Sequence, residues 1–303
     1  DSGARGEVSL RYRNAFGLGF DNLSALQADK TRQIGYADFY LPTGAIAAPI
    51  VGTLATKDSV GILGEHTFIE GLDTQRVAVA AYRQFLKGPF DVRVGVSYQV
   101  EQARPEGSES SLKRALAPNA TVTWRFVDDV LNPKTGGVLQ VQAAVGSKAF
   151  LSDQDFVKAY AQYQHWFTPT PKDQFIVRAE FGKTFAPSRE GVPEDFLYRA
   201  GGTRSVRGYK YQSLGVKDGE ATVGGRYIAT GTVEYVRWLN PTWGAAAFLD
   251  AGDAADTRDT LGANLGYGVG VRFRTPAGPL AFDLAYADRD KRVRAVFSVS
   301  VAF

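Results

Sequence analysis

An all-β, transmembrane antiparallel β-barrel is the fold this sequence predicts. Three observations predict it: strict two-residue alternation, charges confined to one face of the alternating segments, and short connections grouped at one end. In "FDVRVGVSYQVE", Phe90, Val92, Val94, Val96, Tyr98 and Val100 share a face, while Asp91, Arg93, Gly95, Ser97, Gln99 and Glu101 share the other. Successive side chains of a strand point to opposite sides, so such a segment has one apolar and one wet face. "LGYGVGVRFR", "LAFDLAYA" and "VRAVFSVSVAF" alternate in the same way. Along the chain this reading places strands near 5–13, 20–29, 33–42, 49–58, 74–85, 90–103, 113–126 and 136–148. It continues with 154–166, 173–185, 227–239, 242–252, 264–274, 279–288 and 293–303, fifteen strands in all.

The charges decide the solvent. Arg93, Glu101, Arg178, Glu180, Glu234, Asp250, Arg272 and Asp283 all lie on the polar face, too many for a packed core. The opposite face carries Val, Leu, Phe, Tyr and Ala, as lipid outside and a polar interior require. "LKGP", "LNPT" and "TPAGP" are tight connections, whereas "EQARPEGSESSLKR" and "GDAADTRDTLG" are long and fall at the other end. Trp124, Trp166, Trp238 and Trp243 all lie beside short turns, and an interfacial aromatic belt is expected of them.

Composition removes other classes. No run of 18 apolar residues occurs, so no helix of the membrane-spanning kind is expected. With 35 basic and 32 acidic residues, the charge of +3 does not point to nucleic acid. There is no cysteine, hence no disulfide and no thiolate metal site. The only histidines are His66 and His165, and no nucleophile-elbow, zinc-helix or phosphate-loop motif is present, so neither an enzyme nor a cofactor is expected. Methionine is also absent, which marks Asp1 as a processed or trimmed end.

Fifteen strands put the two chain ends on opposite rims, whereas single-chain bacterial barrels have even counts. The expectation is a native sixteen-stranded barrel whose first strand is missing here, with its N-terminal edge unpaired or poorly paired to 293–303. Within that last strand Phe297, Val299, Val301 and Phe303 should face lipid, and Ser298 and Ser300 the lumen. A terminal aromatic after alternating apolar residues is also expected to act as an assembly signal.

"AGGTRSVRGYKY", preceded by "PEDFLYR" and followed by "TGTVEY" and "FLDAG", resembles the outer-membrane assembly superfamily that contains BamA, TamA and the two-partner secretion transporters. Within it the wording is most similar to the TamA branch, the translocation and assembly modules. "GVGVRFRTPAGPLAFDLAYA" joins that resemblance, and "RNAFGLG" and "VDDVLNPKTGG" resemble the family's periplasmic turns. The resemblance spans the whole chain and implies a Gram-negative outer-membrane location. It further implies unfolded outer-membrane protein or autotransporter clients, a periplasm-spanning partner of the TamB kind, the lipid bilayer as surroundings, and no cofactor or nucleic acid. Insertion would then use a weakly zipped seam whose free backbone groups template an incoming strand, with a locally thinned bilayer beside it. A two-partner secretion pore is the alternative within the family, and a passive diffusion channel the alternative outside it. Two departures from the family are expected: the chain given holds no POTRA domain, and 293–303 lacks the glycine at which relatives bend inward.

The loop within 186–225, with "GGTRSVRGYKYQS" from Gly201 to Ser213, is the candidate site. Loops this long in compact domains are usually functional or disordered. In "AAAFLDAG", Ala245, Ala247, Leu249 and Ala251 share the outward face with Trp243, so Asp250 points inward and calls for a cation. Arginine can meet a carboxylate with two parallel hydrogen bonds. The loop is therefore expected to fold into the lumen with Arg207 on Asp250, Tyr209 against the wall, and Arg204 on Glu180 or Glu234. Gly201, Gly202 and Gly208 should supply the turns with positive φ.

Overall fold

The computed structural model describes residues 5–15, 17–42, 55–276 and 278–299. Fifteen strands form one antiparallel sheet in chain order, interrupted only by a hairpin within the long loop. The first eight are β1 (Gly6–Ala15), β2 (Phe20–Ala28), β3 (Arg32–Tyr40), β4 (Ala55–Ile69), β5 (Leu72–Lys87), β6 (Phe90–Pro105), β7 (Ser111–Val127) and β8 (Gly136–Gly146). Then come β9 (Phe156–Thr170), β10 (Asp173–Phe185) and the hairpin of β11 (Val216–Asp218) with β12 (Ala221–Val223). The sheet resumes with β13 (Tyr227–Trp238), β14 (Trp243–Ala255), β15 (Asn264–Thr275), β16 (Gly278–Ala287) and β17 (Arg292–Val299). No helix is long and apolar enough to cross a membrane among the described residues.

Alternation does what the sequence asks of it. Along β14, Trp243, Ala245, Ala247 and Leu249 are exposed, while Gly244, Ala246, Phe248 and Asp250 are buried. A sheet with apolar side chains outside and polar ones inside is stable only with hydrocarbon around it. In β17, Phe297 and Val299 are exposed as expected, and Ser298 lines an inner chamber. Ser300, Val301 and Phe303 lie outside the described residues.

Three expectations are corrected. The fourth strand, expected over 49–58, extends on to Ile69, while residues 49–54 lie outside the described residues. Gly61, Gly64 and Glu65 hide the alternation there, and pairing with β5 (Ile62 opposite Val79) fixes the register. The segment 101–114 is mostly strand, because β6 and β7 pair up to Ala103 opposite Ser111. By contrast, β4 and β5 are joined by only Glu70 and Gly71 on the long-loop side, and β7 and β8 by residues 128–135 on the short-turn side, so loop length sorts the two rims less cleanly than the sequence implied.

The tryptophan belt is half right. Trp124 and Trp243 are outward, the first stacked on Phe90 at 5.7 Å and the second against Phe273 at 4.6 Å between ring centroids. Trp166 and Trp238 are only 4% and 5% exposed and face inward. Their parity explains it. Trp166 shares a face with Gln162 and Gln164, and Trp238 with Thr232 and Glu234. His165 takes the outward place instead, 3.0 Å from the Tyr163 hydroxyl.

At the N-terminal end of the sheet the strands are short: β1, β2 and β3 have 10, 9 and 9 residues, against 16, 16 and 17 for β5, β6 and β7. Among the described residues no ladder joins β1 to β17. Residues Gly6–Asn14 of β1 are exposed on both faces.

Candidate functional site in the barrel lumen

The loop leaves β10 after Phe185, enters the lumen, and returns at β13. Two isolated bridges brace it, Tyr198 with Gly225 and Ala200 with Leu214, and the β11–β12 hairpin packs Ala221 and Val223 against Leu72 and Ala103 of the wall. Gly201, Gly202 and Gly208 have φ of 100°, 96° and 90°. At Gly208 a side chain would press on the backbone of Tyr286 and Ala287, 2.8 Å away, so the position requires glycine on two counts.

Arg207 is 5% exposed, and its backbone N–H and its guanidinium bond to the wall. Its Nε donates to Asp250 Oδ2 at 2.8 Å and its Nη2 to Asp250 Oδ1 at 3.0 Å, a fork-on-fork pair. The backbone N–H of Arg207 adds a third bond to Asp250 Oδ2 at 2.9 Å. Its Nη1 donates to Glu234 Oε2 at 2.7 Å and Asp283 Oδ2 at 3.1 Å. The guanidinium also lies 3.5 Å above the Phe248 ring, a cation–π contact on its free face. Burial opposes its charge, but Asp250 and Glu234 outweigh burial and raise its pKa, so Arg207 is always a cation.

Arg272 completes the network, with Nε 2.8 Å from Glu234 Oε1 and Nη1 2.5 Å from Asp283 Oδ1. Arg178 donates to Thr232 Oγ1 at 3.0 Å and to the Ser205 carbonyl at 3.3 Å. Arg207 and Arg272 thus pair with Asp250, Glu234 and Asp283, and Arg178 adds a third positive charge nearby, which satisfies the condition for burying charge. The inward glycines of β15 make room: a Cβ on Gly266 would collide with the Arg207 carbonyl, and one on Gly270 with the Asp283 carboxylate.

Tyr209 is 1% exposed and packs with Val206, Leu214, Ile228, Ala254 and Ala287. Its hydroxyl accepts from the Arg289 N–H at 3.1 Å. The expectation for Arg204 is corrected. It is exposed toward the open lumen, Glu234 is taken by Arg207 and Arg272, and Glu180 accepts from Tyr160 at 2.8 Å and Thr230 at 2.9 Å. Two neutral hydroxyls satisfy Glu180 where a cation was expected.

The loop has a second anchor that the sequence reading missed. Glu194 pairs with Lys113 of β7 at 3.0 Å and accepts the Gly224 N–H at 2.8 Å, while its own N–H donates to Glu101 of β6 at 3.0 Å. Burial alone would raise the Glu194 carboxyl, but Lys113, Arg199 and the Gly224 amide hold it below its ordinary value. Among the missed residues, Arg272 and Asp283 had a signal, since their inward parity in "GVGVRFR" and "LAFDLAYA" already placed them in the lumen. Phe248, Lys113 and Glu194 had none that specified the loop. Among the described residues there is no cluster able to hold a metal. The site is a clamp: it fixes a strap across the lumen, tied to β6 and β7 on one side and to β13–β16 on the other.

Strands with lipid outside, a charged lumen and a strap locked by one arginine define an outer-membrane β-barrel. The chain belongs to the Omp85 superfamily, whose domain matches residues 5–303. A curated relative, the outer membrane protein assembly factor BamA of Nitratidesulfovibrio vulgaris, is 26% identical over 172 residues, covering 52% of this chain and 22% of its own length. The chain thus spans about a fifth of that relative. Among solved structures, BamA from Haemophilus ducreyi lacking POTRA domains 1–3 superposes with a TM-score of 0.80 at 13% identity, covering 99% of this chain and 68% of that one. CdiB from Escherichia coli superposes with a TM-score of 0.57 at 16% identity, covering 99% and 59%. These likenesses show the fold, and the family is one of Gram-negative outer-membrane barrels.

Proposed function

We propose that this barrel assembles other outer-membrane proteins, autotransporters among them, by templating their strands at the seam between β1 and β17. The observation that carries the reading is the pair of sheet edges, β1 and β17, left unjoined among the described residues. No ladder joins β1 and β17 among the described residues, and β1 offers its backbone groups with both faces exposed. An unpaired edge is a template for an incoming strand. The short strands β1–β3 support a thinned hydrocarbon zone beside it, where a client would enter at lower cost. The work needs no nucleotide and no metal, and a periplasm-spanning partner of the TamB kind would deliver unfolded chains.

One observation favours a second reading, secretion through the lumen. A cavity of about 1470 Å³ lies between the strap and the N-terminal strands, lined by Arg32, Glu65, Arg76, Glu180 and Arg204, and it extends to Arg294, Ala295 and Phe297 of β17. A passive channel accounts for neither the strap nor its lock. Photo-crosslinkers separate the first two. Placed at Leu10 in β1 and at Gln162 in the lumen of separate variants, they should capture an autotransporter client at Leu10. Capture at Gln162 alone would replace seam assembly by export through the lumen.

A further inference from the structure

The turn between β7 and β8, residues 128–135, does not hang from the rim as an ordinary hairpin turn would. Two aspartates fold it: Asp128 Oδ1 accepts the N–H groups of Lys134 and Thr135 at 2.9 and 3.1 Å, and Asp129 Oδ1 those of Leu131 and Asn132 at 2.8 and 3.2 Å. The folded turn then reaches under the lumen. Pro133 is buried, and its carbonyl accepts from Gln174 Nε2 of β10 at 2.8 Å. Asn132 Nδ2 donates to the Thr275 carbonyl at the end of β15, at 3.1 Å and across 143 residues of sequence. In the sheet, β9, β10, β13 and β14 lie between β8 and β15, so this bond spans the mouth and does not join neighbours.

Above the turn and below the arginine lock is a chamber of about 90 Å³. Trp166, Trp238 and Arg274 line it, with the guanidinium of Arg274 3.5 Å over the Trp238 ring. These are the tryptophans that sequence position had assigned to the lipid belt. Two buried polar atoms in its lining have no partner among the described residues, the acceptor Asn132 Oδ1 and the donor Trp238 Nε1. Buried polar groups are almost always bonded to protein or to ordered water. The chamber has room for about three water molecules at ~30 Å³ each.

We propose that the β7–β8 turn is a periplasmic floor, which seals the lumen independently of the strap and closes a chamber of ordered water between Asn132, Trp238 and the arginine lock. The strap blocks the lumen from above and the floor from below. Neither needs the other's contacts, since the hydrogen bonds that fold and anchor residues 128–135 end on the turn itself and on Thr168, Gln174 and Thr275, not on the strap's Gly201–Tyr209 segment. The inference does not depend on what the barrel transports.

The ladder between β7 and β8 ends at Val127 opposite Gly136, so residues 128–135 can be replaced by Asn-Gly, the two-residue turn that suits such a pair. The chain has no cysteine, so Gln164→Cys in the chamber lining is a clean reporter. Folding is verified by the gel mobility of the unheated barrel, and strap docking by its resistance to protease. With the turn shortened, conductance in planar bilayers should rise several-fold. Labelling of Gln164→Cys by a membrane-impermeant maleimide on the periplasmic face should speed up about tenfold, with the strap still protected. Asn132→Ala, which leaves the turn in place, should raise labelling to a lesser degree and serves if the shortened barrel does not fold. Unchanged conductance and labelling in the shortened barrel overturn the proposal, as does an Asn132→Ala rate equal to the parent's. Release of the strap together with the floor also overturns it, because the seal would then belong to the strap.

Discussion

Arg207→Ala is the perturbation that most directly probes the lock. It removes the side-chain hydrogen bonds of 2.7–3.1 Å to Asp250, Glu234 and Asp283, while the backbone N–H bond to Asp250 survives only if the strap stays put. It leaves Glu234 and Asp283 with Arg272 as their remaining ion-pair partner among the described residues and Asp250 with none, since Arg178 bonds to Thr232 instead. Asp250 and Asp283 are 0% and 1% exposed, so water cannot make up the loss where they sit. Breaking a buried pair by removing one partner costs about 3–5 kcal/mol. At about 1.4 kcal/mol per tenfold, undocking of the strap should become favoured by roughly a hundred- to several-thousand-fold. The assay is the maleimide labelling rate of Thr203→Cys on the strap, compared in folded barrels with and without the Arg207→Ala substitution. Asp250→Ala alone should loosen the strap as well. Combined with Arg207→Ala it should add much less than the sum, as residues sharing one network do. Equal labelling with and without Arg207, in barrels that fold normally, would refute the argument that charge pairing holds the strap.

Four further outcomes are expected. Gly266→Val should release the strap without touching a charge, since its side chain would occupy the place of the Arg207 carbonyl; protease nicking between Gly201 and Ser213 measures it. Lys113→Met should strand Glu194 beside Glu101 and free the ascending limb of the loop, read as faster proteolysis near Glu194 while the Arg207 end stays protected. The floor should weaken in acid. Burial would raise the Asp128 carboxyl, but the Lys134 and Thr135 amides hold it below its ordinary 3.8, so its support is complete above pH 3.8 and is lost as pH falls through the lowered value. Conductance should therefore rise only below about pH 3.8, and Asp128→Ala should be leaky at neutral pH. Deleting Phe303 should reduce insertion of the barrel in cells, scored as loss of the folded form from outer-membrane fractions; normal insertion would remove it as an assembly signal.

Much of the site was legible. The inward place of Asp250 followed from the alternation of "AAAFLDAG", and its need for a cation from the cost of an unpaired carboxylate in the lumen. The family-like wording of the loop then singled out Arg207. Arg204 was misplaced because parity says which groups share the lumen, not how far around its wall they stand. Glu180 and Glu234 both face inward, but only Glu234 lies within reach of the lock. The tryptophans failed for a related reason. Nearness to a turn gives a residue's height in the membrane, whereas parity gives its face, and Trp166 and Trp238 had been placed by height alone.

By itself, then, the sequence determined what is local. A strand repeats every two residues, so fifteen strands, their inner and outer faces and the lipid around them can be read one segment at a time. The tertiary structure alone decided what meets across the lumen: Arg207 with Asp283 over 76 residues, Lys113 with Glu194 over 81, and Asn132 with Thr275 over 143. Those contacts depend on the curvature and accumulated register of the whole sheet. No period in the chain encodes the distance between two walls of a barrel.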